Sequence, residues 1–490
     1  MSATAAIALA LLLPLTGAGT SALFHRSPNL RETFSLLAGG GLLAITWSLL
    51  PRVEAGERPA LELFEMLPGL AIAFEVEPLG MLFALVAAML WIVTTVYSIG
   101  YLRGNNEDHQ SRFFACFAVA IFAAVGAAMA GNMLTLFVFY EVLTLSTYPL
   151  VTHHGTAEAR RGGRVYLGVL LFTSITFLLL AVVWTWFAAG TLDFQPGGIL
   201  AGKASTPVLA VLLALYAFGT GKAALMPFHR WLPAAMVAPT PVSALLHAVA
   251  VVKVGVFTVL KVVVYIFGLD LLRDTDISLW IAWAAGFTVL AASLVAMTKE
   301  NLKARLAYST VSQLSYIVLG AMLANAWGVI GGGMHIAMHA FGKITLFFCA
   351  GAIYVATHKK EIPDLSGLGR VMPWTFAAFV VGAFSVIGVP PLGGSWSKWF
   401  LALGAVEAEQ QILVAVLMIS SLLNILYLMP IPVRAFFSPL SAADTKAFPE
   451  RKEPWLCVAP PVVTALGCVA LFFVADDIYQ LLMPIAGGSP

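Results

Sequence analysis

FGTGKAALMPFHRWLP, residues 218–233, is the stretch on which the reading of this chain turns. Lys222 stands among glycine, alanine and leucine, and Pro227 follows five residues on. Gly219-Thr220-Gly221-Lys222 resembles the end of a phosphate-binding loop, but that pattern requires a glycine five residues before the Gly-Lys pair and Ser or Thr after it. Tyr216 and Ala223 occupy those positions. The surroundings decide the matter. Residues of about 207–232 form an apolar run long enough to span the hydrocarbon core of a bilayer. Lys222 is therefore a lysine at membrane depth, beside a proline break.

The whole chain fits that setting. Its 490 residues are 60% hydrophobic and only 11% charged, with a mean hydropathy of +0.91. Soluble domains carry roughly 25% charged residues, so the composition predicts a polytopic membrane protein. The net charge of +2 singles out no partner, and no basic patch is long enough for nucleic acid. Cys116, Cys349, Cys457 and Cys468 stand alone in apolar surroundings with no CxxC pair, which disfavours zinc and iron–sulfur sites.

Working outward from helix 7, spanning-length apolar segments fall at about 2–22, 31–50, 77–99, 112–130, 132–152, 165–190, 207–232, 240–268, 278–297, 304–324, 329–357, 373–405, 411–437 and 455–483. The fold class predicted is an all-α polytopic membrane protein of about 14 transmembrane helices. The first run lacks a basic flank before it, so it reads as an uncleaved helix rather than a signal peptide. Residues of about 51–76 read as an external loop or a short surface hairpin.

Basic residues favour the cytoplasmic loops. Eighteen of the 27 lysines and arginines lie in or beside loops that follow odd-numbered helices, and only Arg52, Arg58, Lys203 and Arg273 lie in even-numbered loops. The expectation is a multi-pass protein of a bacterial or archaeal cell membrane with both termini outside. Five basic residues remain inside spans, all of them lysine: Lys222, Lys253, Lys261, Lys343 and Lys398. Glu141 is the one acid deep in a span, while Glu77 sits at a helix entrance.

A charge at the bilayer centre is costly, so such groups usually face a cavity or a partner and carry function. Arginine stays protonated, whereas a desolvated lysine loses proton affinity and recovers it near a carboxylate. Lysines with one carboxylate suit a device that loads and releases protons. Against this, Lys261 lies near a helix end, where its stem can snorkel to water, and Lys398 lies just past a break and can be interfacial. His335, His339 and Lys343 recur at i, i+4 and i+8 and share a helix face. Two histidines at that spacing can hold a metal, but no HExxH pattern and no nearby acid accompany them, so a proton wire is the preferred reading over a metal site or structural histidines. His247, six residues before Lys253, can link lysine sites through water or simply pack.

Pro227 follows Lys222, and Pro390, Pro391, Gly393 and Gly394 precede Lys398. Broken helices at membrane depth line polar cavities and mark transporter sites. Helices 4–8 and 9–13 would form two sets of five, and an odd number inverts the second set. Lys222 in helix 7 and Lys398 in helix 12 then correspond. The predicted organisation is 1–111 for helices 1–3, 112–268 and 269–437 for the two inverted repeats with broken helices 7 and 12, and 438–490 for helix 14.

Taken together, NMLTLFVFYEVLTLSTYPLV (132–151), GKAALMPFHRWLPAAMVAPTPVSALLHAVAVVKVGVF (221–257), KARLAYSTVSQLSYIVLG (303–320), HIAMHAFGKITLFFCAG (335–351) and IGVPPLGGSWSKW (387–399) resemble the antiporter-like subunits. These are the D and A subunits of Mrp cation/proton antiporters, the large pumping subunits of respiratory complex I, and their counterparts in membrane-bound hydrogenases. The resemblance covers about residues 75–435. It implies a midplane chain of charged residues in which Glu141 matches the helix 5 glutamate, Lys222, Lys253 and Lys398 the lysines of helices 7, 8 and 12, and His335, His339 and Lys343 the helix 11 group. It implies that Glu141 controls the proton affinity of Lys222. It also implies other membrane subunits as partners in a hetero-oligomeric complex, and protons with a monovalent cation as cargo. No cofactor, metal, flavin or nucleotide is expected on this chain. Length and Lys398 fit the D-type member of the Mrp antiporters. The alternative is a pumping subunit of a complex I-like or hydrogenase complex, while buried lysines are poor for a simple cation channel.

Overall fold

The computed structural model describes residues 1–441, 444 and 453–487. Each predicted segment carries helix, so the helices keep their predicted numbers: α1 (Ala3–Leu23), α2 (Pro28–Glu54), α3 (Pro78–Gly104), α4 (Gln110–Ala128), α5 (Met133–Val151), α6 (Ala157–Ala189), α7 (Thr206–Gly219), α8 (Thr240–Phe267), α9 (Leu279–Met297), α10 (Leu302–Met322), α11 (Ala326–Thr357), α12 (Pro373–Ile387, resuming at Gly394–Glu407), α13 (Gln411–Phe437) and α14 (Trp455–Phe473). Among the described residues, 11 helices are long and apolar enough to cross a membrane. Of the predicted 438–490 region, residues 442–443, 445–452 and 488–490 lie outside the described residues. The last predicted span divides at Val474, and a short helix, Ala475–Leu482, follows it.

Helix starts are written locally. The side chains of Glu77, Asn132, Thr156, Asn301 and Asn325 each accept a backbone N–H in the first turn of the helix that follows, which satisfies donors that have no partner within the helix. Between α2 and α3, β1 (Ala60–Leu67) pairs antiparallel with β2 (Leu70–Glu75), Ala60 opposite Glu75. Of the two readings of 51–76, loop or hairpin, the structure has the hairpin, and Asn132 Nδ2 ties its second strand to α5 by donating to the Ala71 carbonyl at 2.8 Å.

A helix that is apolar all round belongs in the interior. Among the described residues, α8 and α11 are the spanning helices buried on nearly every face. They carry His247, Lys253 and Lys261, and His335, His339 and Lys343. α11 packs against α10, α14 and both halves of α12.

Both predicted breaks are present. α7 stops at Gly219, and a single tight turn, Gly221–Ala223, precedes an irregular run to Trp231. α12 stops at Gly388, whose φ of +96° only glycine adopts without strain. The sequence did not signal three widened π turns at Ser174–Leu178, Leu245–Val249 and Val262–Phe267. Each inserts a residue into an otherwise apolar helix, and hydrophobic periodicity cannot register that where every face is apolar.

Candidate functional site

Lys222 sits in the turn that interrupts helix 7 and is fully buried. Its Nζ donates to the carbonyl of Tyr140 and lies 3.2 Å from the centre of the Tyr140 ring. Its backbone N–H donates to the Tyr140 hydroxyl at 3.1 Å, and Trp231 Nε1 donates to the Gly221 carbonyl at 2.9 Å. Gly255 of α8 lets the two backbones meet, since a Cβ there would lie 2.8 Å from Lys222 Cβ.

The expected carboxylate–lysine pair is not made directly. Glu141 has both carboxylate oxygens shielded, with no hydrogen-bond partner among the described residues. Tyr140, the residue before Glu141, makes the direct contact with Lys222 through its carbonyl and its ring.

The other predicted residues converge at the centre. Lys253 Nζ lies 2.7 Å from His339 Nδ1, which joins α8 to α11. His335 Nδ1 lies 2.8 Å from Ser397 Oγ, and its ring stacks on Tyr316 at 5.8 Å and stands 5.6 Å from the His339 ring. Lys398, one residue beyond Ser397, donates to the Ile387 carbonyl at 3.0 Å and to Ser421 Oγ at 3.3 Å. Its stem passes close over Gly388, where a Cβ would sit 2.9 Å from Lys398 Cδ. Lys343 donates to Ser309 Oγ at 2.5 Å and to the Leu306 carbonyl at 3.4 Å. It is not bonded to the histidines that share its helix face. His247, inside a widened turn, packs against Phe347 at 4.7 Å and has no partner on either ring nitrogen among the described residues. Among those residues no cluster of three or more His, Cys, Asp or Glu comes together.

Lys261 departs from the expectation that it snorkels. It is 1% exposed and lies 3.3 Å from Glu77. Phe194 and Tyr265 present their rings at 4.1 and 4.5 Å. The chain between α6 and α7 folds over this end of α8, with Ile199 N–H donating to the Ile266 carbonyl at 2.9 Å, so the ammonium has no water to reach.

A cavity of about 420 Å³ opens among the loops that follow odd-numbered helices, lined by Glu107, His154, Lys303 and Lys360, with Thr240 at the head of α8.

Residues 130–424 match the family described as NADH:quinone oxidoreductase/Mrp antiporter, transmembrane. The chain belongs to that family. It is 32% identical over 391 residues to the N subunit of the NADH-quinone oxidoreductase of Desulforudis audaxviator, covering 79% of this chain and 77% of that one. It is 26% identical to the D subunit of the Na(+)/H(+) antiporter of Alkalihalophilus pseudofirmus, covering 98% and 96%. Its fold matches a chain of the Mrp complex from Dietzia sp. with a TM-score of 0.87 at 23% identity, over 99% of this chain and 97% of that one. A chain of an archaeal membrane-bound sulfane sulfur reductase matches at 0.83 and 24% identity, over 98% and 96%. These matches make the chain a multi-pass membrane protein of the antiporter and respiratory-complex type.

Sequence reasoning missed the polar partners of the lysines. Ser309, Gln313 and Tyr316 recur at i, i+4 and i+7 on α10, and Ser420, Asn424 and Tyr427 do so on α13, all of them buried. A polar stripe at helical spacing inside an apolar helix was the available signal. These side chains are uncharged, so the stripe is faint beside the lysines.

Proposed function

We propose that this chain is the proton-translocating subunit of a multisubunit monovalent cation (Na+)/H+ antiporter. Protons move along the buried relay of Glu141, Lys222, Lys253, His247, His335, His339, Lys343 and Lys398. The observation that carries this reading is the placement of Lys222 and Lys398 at the two helix breaks, with the Lys253–His339 contact between them. The end-to-end match to the D subunit of a Na(+)/H(+) antiporter supports the antiporter assignment.

In this reading Lys222 moves between two positions. On the Tyr140 carbonyl it makes no direct hydrogen bond to the carboxylate. A small rotation of α5 or of the 221–223 turn brings Glu141 to it and raises its proton affinity, and reversal sends the proton on to Lys253 and His339. The partition into 112–268 and 269–437 as inverted repeats supplies the rocking elements. The 420 Å³ cavity lies on the cytoplasmic side, both termini face outward, and the partners are other membrane subunits. No step calls for a cofactor or metal on this chain.

The second reading, a pumping subunit of a complex I-like or hydrogenase complex, is favoured by the 32% identity to the N subunit of an NADH-quinone oxidoreductase. One experiment separates the two. The complex is purified through this chain in mild detergent, its subunits are identified by mass spectrometry, and sodium-dependent proton flux is measured after reconstitution. Small hydrophobic subunits with sodium-dependent flux support the antiporter. Iron–sulfur or nickel subunits with no sodium dependence refute it.

A further inference from the structure

Lys343 and Lys398 are the last two lysines of the relay, and His335 and His339 precede Lys343 on its own face of α11. From Lys343 hydrogen bonds run to α10 and α13, and close side-chain approaches carry the line of hydroxyls on toward Lys398. Lys343 Nζ donates to Ser309 Oγ at 2.5 Å, and Ser309 Oγ lies 2.8 Å from the Tyr427 hydroxyl. Tyr427 also bonds to Asn424 Oδ1 and lies against Ser293. Ser293 Oγ is 3.4 Å from Ser420 Oγ and 3.0 Å from Ser312 Oγ. The Tyr316 hydroxyl faces Ser420 and Ser421 and donates to the Leu417 carbonyl at 3.3 Å. Ser421 Oγ is 3.3 Å from Lys398 Nζ. Ser293, Ser309, Ser420, Tyr316 and Tyr427 are all buried.

We infer that protons pass between Lys343 and Lys398 along this ladder of hydroxyls on α9, α10 and α13, as a branch of the relay beyond its Lys253–His339 contact. The inference rests on the proton-relay reading above. A hydroxyl is both donor and acceptor, so each rung can take a proton on a lone pair while giving up the one it carried. The Lys343 ammonium loses a proton to Ser309 and the neutral amine of Lys398 gains one from Ser421. Nothing is oxidised, and each hydroxyl ends with a single proton, turned the other way. The hydroxyls must then rotate back before the next transfer. His335 and His339 are engaged by Ser397 and Lys253, so they serve the part of the relay that lies before this branch.

The test uses the assembled complex in vesicles and proton flux as the readout. Lys222→Ala is the control for the relay itself. Tyr427→Phe and Ser309→Ala each remove one hydroxyl and no charge, and Ser309→Thr keeps the hydroxyl while adding a methyl. A packing role would make Thr the more harmful change, because overfilling a dense core is itself costly. The ladder predicts the opposite order. Lys222→Ala abolishes flux, Tyr427→Phe and Ser309→Ala lower it about tenfold or more with assembly intact, and Ser309→Thr keeps most of it. Wild-type flux in Tyr427→Phe and Ser309→Ala, with Lys222→Ala inactive, overturns the ladder and leaves the relay standing. Wild-type flux in Lys222→Ala overturns the relay, and the ladder with it.

Discussion

The Glu77–Lys261 pair makes an asymmetric prediction. Glu77 accepts from four donors: Leu79 N–H at 2.8 Å, Gly80 N–H at 2.7 Å, the Tyr265 hydroxyl at 2.9 Å and Lys261 at 3.3 Å. Lys261 has one carboxylate and a set of aromatic faces. Lys261→Met therefore leaves a carboxylate that keeps three donors, and loses one charge-assisted hydrogen bond worth about 1.5–3 kcal/mol. Glu77→Ala strands a buried ammonium, at about 3–5 kcal/mol, and removes a helix cap worth about 1 kcal/mol more. The double variant Glu77→Gln with Lys261→Met contains neither stranded charge, and it should recover much of the loss. Thermal unfolding of the purified complex reads the order, which is wild type above Lys261→Met, with the double variant above Glu77→Ala. If Glu77→Ala melts with Lys261→Met or above it, the pair is not the determinant of local stability and the reasoning fails.

Other predictions concern the relay and its frame. Glu141→Ala should abolish transport while the complex still assembles, and wild-type proton movement in an intact Glu141→Ala complex would refute the two-position account of Lys222. Gly388→Ala forces a side chain into the left-handed region at about 1–2 kcal/mol and presses on the Lys398 stem. Transport should fall more than assembly, as flux per assembled complex would reveal. Burial pushes His153, in the loop after α5, down to about 4, with Glu107 opposing. Its folded pKa is lowered, so its contribution to stability is present above the unfolded value of about 6.5 and is lost as pH falls from there toward 4. His153→Phe should flatten the dependence of melting temperature on pH across that window, and an unchanged slope would place the acid sensitivity elsewhere.

The sequence carried the placement of the helices because hydrophobic length is a strong signal in membrane proteins. It placed helix in every predicted segment and the interruptions beside Lys222 and Lys398, and it left 51–76 open between a loop and the hairpin that forms there. Contacts that cross between helices were less legible. Lys261 looked free to snorkel because the chain that covers it, around Phe194 and Ile199, lies far away in sequence. The resemblance pairs Glu141 with Lys222, but nothing in the sequence signals that Tyr140, the residue before Glu141, makes the direct contact. The serines and tyrosines of α10 and α13 are ordinary residues singly, and only the pairing of two helices makes a connected polar seam of them. The π turns in α6 and α8 left no trace, because a one-residue insertion changes nothing where all faces are apolar.

The distance along the chain between bonded partners has a consequence for synthesis. Lys253 reaches His339 across 86 residues, and Glu77 reaches Lys261 across 184. At about 5–20 residues per second, Lys253 is made roughly 4–17 s before its histidine exists, and Glu77 roughly 9–37 s before its lysine. During that interval α3 and α8 must enter the bilayer carrying groups whose partners are still unmade. Until α11 arrives to close the interior, water near these groups is what lowers the cost of their missing partners.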